Sequence, residues 1–72
     1  MQYYKRIKEI REDRDIKQKE IAEILQTDQS YYSKYERGLH PMTADQIIIL
    51  CRYYNLSADY MLGLSDEPRQ IK

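Results

Sequence analysis

Helical stop and start signals are packed unusually close together in this chain, and they cut its apolar pattern into short pieces. Tyr3, Ile7 and Ile10 fall at i, i+4 and i+7, one face of a helix over residues 3–14. Arg11 and Arg14 lie near that same face. Arg14, in the last turn, suits the helix dipole; Arg11 lies deeper and needs a counter-charge. Ile16 then acts as a staple before a second helix, residues 18–25, with Ile21, Ala22, Ile24 and Leu25 inward. After the turn Gln26-Thr27-Asp28, the Asp28 carboxylate caps a third helix, residues 29–37, which ends at Gly38. Pro41 blocks any continuation. Thr43 and Gln46 make a capping box for a fourth helix to about Tyr54, with Ala44, Ile47, Leu50, Cys51 and Tyr54 on one face and Asn55 closing it. Ser57 caps a short last helix, residues 58–62, and Gly63 stops it. Helices this short are not stable alone. The pattern therefore predicts one all-α domain of five helices over residues 1–64, and a frayed tail over residues 65–72 that has no periodicity.

Composition excludes the other classes. A chain of 72 residues is one small domain, and four Gly plus Pro are too few for tight-turned β structure. Hydrophobic residues at 42% argue against wholesale disorder. The longest apolar run, Ile47–Cys51, is far short of a membrane span, and the first residues lack the apolar stretch of a signal peptide. A single Cys cannot form an internal disulfide, which fits a cytoplasmic chain with no membrane partner. Charge points to no partner by itself. Lys plus Arg and Asp plus Glu are 12 each, and they are spread evenly along the chain. All eight aromatic residues are Tyr, six of them in adjacent pairs. Adjacent helical residues sit about 100° apart, so each pair must split. Tyr3, Tyr32 and Tyr54 are expected inside, with Tyr35 beside them; Tyr4, Tyr31 and Tyr53 are expected outside.

Residues 18–37 carry the functional signal. Two short helices joined by a three-residue turn must cross steeply, and Ala22 supplies the small residue at the crossing. On the third helix Tyr32, Tyr35 and Glu36 share one side; Ser30, Ser33, Lys34 and Arg37 lie opposite. Gln29 and Ser30 sit at the exposed N-terminal end. Such a face is either an ordinary solvated surface or one shaped for the DNA major groove, where Gln bonds adenine, Lys bonds guanine, and Ser permits close approach.

Arg11, Gln18-Lys-Glu-Ile-Ala22, Ser33-Lys-Tyr-Glu-Arg-Gly38, Pro41 and Leu56-Ser-Ala-Asp-Tyr-Met-Leu-Gly63 stand in order. With these residues the chain resembles the phage-repressor/Cro-type helix-turn-helix domains, the XRE family, over residues 3–64. The resemblance implies a compact, lambda-repressor-like five-helix bundle. It implies a repressor-type transcriptional regulator that binds a double-stranded DNA operator, as a homodimer at least on DNA. It implies an ion pair between Arg11 and Glu36. It also implies that Gln18 holds a phosphate and braces the start of helix 3, and that Gln29, Ser30 and Lys34 read bases. Tyr31 flanks that face, and Asp28 and Ser33 belong to the same segment. Arg37, Lys17 and the loop Leu39-His40 are backbone contacts. Three positions depart from the family pattern: Gln26 where Gly is common, Lys17 where a small capping residue is common, and Tyr32 where a β-branched aliphatic is common.

Catalysis and metal binding have little to stand on. His40 is the only His, the lone Cys51 faces inward, and no Gly-rich phosphate loop exists. Neither a cofactor nor a small-molecule substrate is expected. With Ile47 inward, Ile49 and Tyr53 are outward neighbours at i and i+4, either scattered exposed residues or a dimer or partner patch. Two other functions fit the fold: a protein-interaction module, favoured by zero net charge, or an antitoxin that binds a protein partner and its own operator.

Overall fold

The computed structural model describes residues 3–68. Five helices follow one another, with no strand among the described residues: α1 (Tyr3–Asp13), α2 (Gln18–Ile24), α3 (Gln29–Glu36), α4 (Ala44–Tyr54) and α5 (Ala58–Met61). None is long and apolar enough to cross a membrane.

All five helices stop in the same way. The residues Asp15, Gln26, Gly38, Asn55 and Gly63 each take the left-handed conformation, with φ of 55°, 59°, 75°, 57° and 80°. In each case the next N–H reaches back five residues: Ile16 to Arg11 O, Thr27 to Ala22 O, Leu39 to Lys34 O, Leu56 to Cys51 O and Leu64 to Asp59 O. The left-handed residue itself bonds back three. This is the Schellman arrangement, which satisfies the carbonyls a helix end leaves bare. Four helices end one residue earlier than their apolar patterns predict, at Asp13, Ile24, Glu36 and Met61. The residue lost, Arg14, Leu25, Arg37 or Leu62, is the one directly before the left-handed position. Arg14 therefore lies beyond α1, with its guanidinium 5.2 Å from the centre of the Tyr54 ring.

Only two of the five left-handed residues are glycines. A β-carbon in that conformation costs roughly 1–2 kcal/mol. Gln26, exposed at the α2–α3 turn, has no side-chain hydrogen bond among the described residues to compensate. Gln26→Gly is expected to stabilise the domain by about 1 kcal/mol after allowing for the entropy of a glycine in the unfolded chain. Urea unfolding measures it; an unchanged or lower midpoint would show that the turn carries no strain.

The start signals work as written. The Asp28 side chain accepts from Tyr31 N at 2.7 Å. Thr43 and Gln46 exchange both bonds of a capping box, and Ser57 accepts from Tyr60 N. Lys17, at the cap of α2, makes no side-chain cap bond.

The core gathers Ile7 and Ile10 of α1, Ile21 and Ala22 of α2, Tyr32 and Tyr35 of α3, and Leu50, Cys51 and Tyr54 of α4, with Leu25, Met42, Leu56 and Met61. Three expectations about it are corrected. Ala44 is exposed, because it opens α4 at the rim of the core and its single methyl does not reach in. Tyr3 is only half-buried: its hydroxyl takes the Met42 N–H at 2.9 Å and must stay at the core's edge to do so. Tyr4 is half-buried rather than outward, because its ring lies on Gly38, where a β-carbon would sit 2.5 Å from Tyr4 Cζ. Of the segment expected to fray, residues 69–72 lie outside the described residues. Before them, Arg6 of α1 donates to Tyr60 O and Ser65 O, both at 3.1 Å, and pairs with Asp66 at 3.0 Å.

Candidate nucleic-acid interface

The angle between α2 and α3 is set by what Glu36 needs. Its side chain is 1% exposed and that of Arg11 11%. Burying two charges is tolerable only when they pair and their remaining hydrogen-bonding sites are filled. Arg11 Nε reaches Glu36 Oε2 at 2.6 Å, and its Nη2 reaches Oε1 at 3.0 Å. Gln18 Nε2, from the first residue of α2, donates to Oε1 at 3.0 Å. Arg11 Nη1 takes the Ile16 carbonyl at 2.7 Å. One carboxylate thus ties α1, the α1–α2 turn and α2 to the last turn of α3. Burial pushes the Glu36 carboxyl up, but bonds from Arg11 and Gln18, helped by the nearby Tyr32 hydroxyl, outweigh it and hold the group below the usual carboxylate range. The Tyr32 hydroxyl faces this carboxylate without reaching standard hydrogen-bond geometry. Burial first, and Glu36 next, push its phenol up.

With Glu36 turned inward, the outer face of α3 carries no acid. Gln18, Gln29, Ser30, Ser33, Lys34 and Arg37 line one shallow polar groove. Four of these come from successive turns of α3 and Arg37 directly follows it, so the groove runs along the helix. The Asp28 carboxylate stands at its N-terminal end, committed to the cap. Lys17 is exposed beside the start of α2.

Tyr31 borders the groove and is held on several sides. Its ring stacks on His40 at 5.1 Å between centroids with an interplanar angle of 15°. The Tyr35 ring meets it edge-on at 5.4 Å, and Lys34 Nζ lies 5.7 Å from its centre. Gln46 Nε2 secures the Tyr35 hydroxyl at 3.0 Å. The α3–α4 loop and α4 thereby fix an aromatic wall beside Lys34 of the groove.

A helix-turn-helix family profile matches residues 7–61. The chain belongs to this family. Among its relatives is an uncharacterised HTH-type transcriptional regulator, YobD, of Bacillus subtilis (strain 168), 33% identical over 66 residues, or 92% of this chain and 59% of that one. Another is the HTH-type transcriptional regulator ImmR of the same organism, 40% identical over 66 residues, or 92% of this chain and 52% of that one. The chain spans little more than half the length of these curated relatives. No solved structure gave a significant match.

Within the helix-turn-helix frame, the three departures have visible consequences. Gln26 accepts the left-handed turn at a cost, and Lys17 leaves the first turn of α2 without a side-chain cap. Tyr32 is fully buried, and among the described residues its hydroxyl has no protein hydrogen-bond partner. Gln18 also braces the end of α3, through Glu36, while lining the groove with Gln29 and Ser30 at the start of that helix. The Tyr31–His40 stack was not visible in the sequence, because it joins a helix to a loop nine residues on and follows no periodicity. Ile48 was missed as well. It is 49% exposed, against 40% for Ile49 and for Tyr53. In three consecutive isoleucines only one can face the core, and that signal was available.

Proposed function

We propose that this chain is a sequence-specific DNA-binding transcriptional regulator of the repressor type, in which α3 enters the major groove of a double-stranded operator. The observation that carries the reading is the acid-free groove along α3, on a chain of the helix-turn-helix family whose relatives are named as transcriptional regulators. A helix fits the major groove, and Gln and Lys side chains match adenine and guanine edges there. Gln29, Ser30, Ser33 and Lys34 are the base-facing set, with Tyr31 as the wall beside them. Lys17, Gln18, Arg37 and the Leu39-His40 loop face the phosphates. Asp28 acts through the cap that presents the first turn. A homodimer on a pseudo-palindromic operator, in the cytoplasm and without catalysis, belongs to the same reading.

Lys34→Ala is expected to weaken specific binding and to reduce the salt slope by about one counterion. Gln29→Ala is expected to cost about 1–3 kcal/mol at one base position and to relax preference there. Selection from a random duplex pool, followed by salt titration on the selected site, measures both. Identical selected motifs and slopes for all three proteins would remove these side chains from the interface. If wild type binds no duplex DNA at low salt, the zero net charge of the chain favours a protein-interaction module.

A further inference from the structure

The outward side of α4 has no partner within the described residues, and its residues are ordered in a self-complementary way. Asp45 and Arg52 are both exposed, and neither has an ion-pair partner among the described residues. They are seven residues apart, two turns less about 20°, so they share one line along the helix. Ile48 and Ile49, 49% and 40% exposed, flank that line midway between them. Tyr53 lies at the rim, where its hydroxyl donates to Glu20 of α2 at 2.6 Å and anchors its ring against the same molecule.

We infer that α4 pairs with α4 of a second copy, antiparallel about a twofold axis passing between Ile48 and Ile49. In a twofold contact, where residue i of one copy meets residue j of the other, j of the first also meets i of the second. With the axis there, Asp45 of each copy stands opposite Arg52 of the other, so the ion pair is made twice. Ile48 and Ile49 meet their own counterparts on either side of the axis. A parallel pairing in register would set Asp45 against Asp45 and Arg52 against Arg52. Sliding the antiparallel pair by one turn would break both ion pairs. Charge order thus selects both the partner and the register.

The contact is small. The 11 residues of α4 span about 16 Å, short of what a stable interface of roughly 1,200–2,000 Å² needs. Two copies therefore associate weakly when free and strongly when adjacent DNA half-sites hold them at millimolar effective concentration. The inference rests on the homodimer part of the proposed function and not on DNA binding.

Sedimentation equilibrium of the free protein, up to about 1 mM, tests it. Wild type should show reversible dimerisation. Asp45→Arg alone and Arg52→Asp alone should each associate at least tenfold more weakly. An equimolar mixture of these two single variants should regain wild-type association, because each heterodimer makes both ion pairs. Asp45 in the first turn and Arg52 in the last also suit the helix dipole; a role limited to that predicts no recovery on mixing and would overturn the inference. So would a wild type that stays monomeric throughout. Ile49→Glu, at an exposed position that leaves the core intact, should abolish association; unchanged association in that variant would also overturn it. Because no DNA is present, failure here leaves the DNA reading intact, and failure to bind DNA leaves the dimer intact.

Discussion

Glu36→Ala is expected to remove about 3–5 kcal/mol of stability, because it leaves the Arg11 guanidinium buried with no counter-charge. For a domain of this size that is a large share of the whole, which runs near 0.05–0.15 kcal/mol per residue (roughly 4–11 kcal/mol in all). The melting temperature should fall by at least about 12 °C. Arg11→Ala should do the same from the other side. Arg11→Met combined with Glu36→Leu should recover most of the loss, since a packed apolar pair can replace a buried ion pair. The deficit that remains belongs to Gln18 and the Ile16 carbonyl, which lose their partners. The pair also sets the acid limit. The folded carboxyl titrates below its unfolded value, so its contribution is fully present above the usual Glu range near pH 4.3 and is lost as pH falls through the depressed folded value. Urea unfolding at pH 7 and near pH 3 should show a steeper acid loss in wild type than in Glu36→Gln. Parallel losses would place the acid sensitivity elsewhere.

Gly38→Ala is the second large effect. The position needs a left-handed backbone, φ 75°, which costs a β-carbon roughly 1–2 kcal/mol. That carbon would also stand 2.5, 2.7 and 2.8 Å from three atoms of the Tyr4 ring. The ring must move, and overpacking of this kind costs typically about 1–3 kcal/mol. The sum expected is about 2–5 kcal/mol. The two parts separate in a double-mutant cycle. Adding Tyr4→Ala should relieve the steric part and leave the backbone part, so the double variant should be more stable than the sum of the singles predicts. Strict additivity would mean the ring already yields at no cost. Because Gly38 ends the helix that carries the polar groove, the cycle also reports how firmly α1 holds that helix.

Element order could be read from the chain because each signal is local. Asp28, the Thr43–Gln46 box and Ser57 start helices, and Gly38, Asn55 and Gly63 end them, all within a few residues. The inward faces of α1, α2 and α3 followed from periodicity for the same reason. An arginine on the apolar side of α1 demanded an acid, though periodicity alone could not say which element would provide it. What could not be read joins distant segments. Tyr4 lies under Gly38, His40 on Tyr31, Met42 against Tyr3, and Arg6 on Ser65 and Asp66. Neither periodicity nor composition reports such contacts. The bond from Gln18 to Glu36 is of the same kind: its position on α2 was legible, but the demand of a buried carboxylate for its amide was not.

The shared ending of the five helices bears on how quickly the molecule forms. Every chain reversal is decided by bonds spanning three and five residues, so almost no loop-closure entropy opposes the formation of each corner. Chains dominated by such near-neighbour contacts fold in microseconds to milliseconds. A larger closure entropy falls on the ties that cross the chain, from Arg11 to Glu36, 25 residues apart, to Arg6 and Ser65, 59 apart. The corners can therefore form ahead of the cross-chain ties, and the docking of α1 onto α3 through Arg11 and Glu36 then fixes the helix that carries the polar groove.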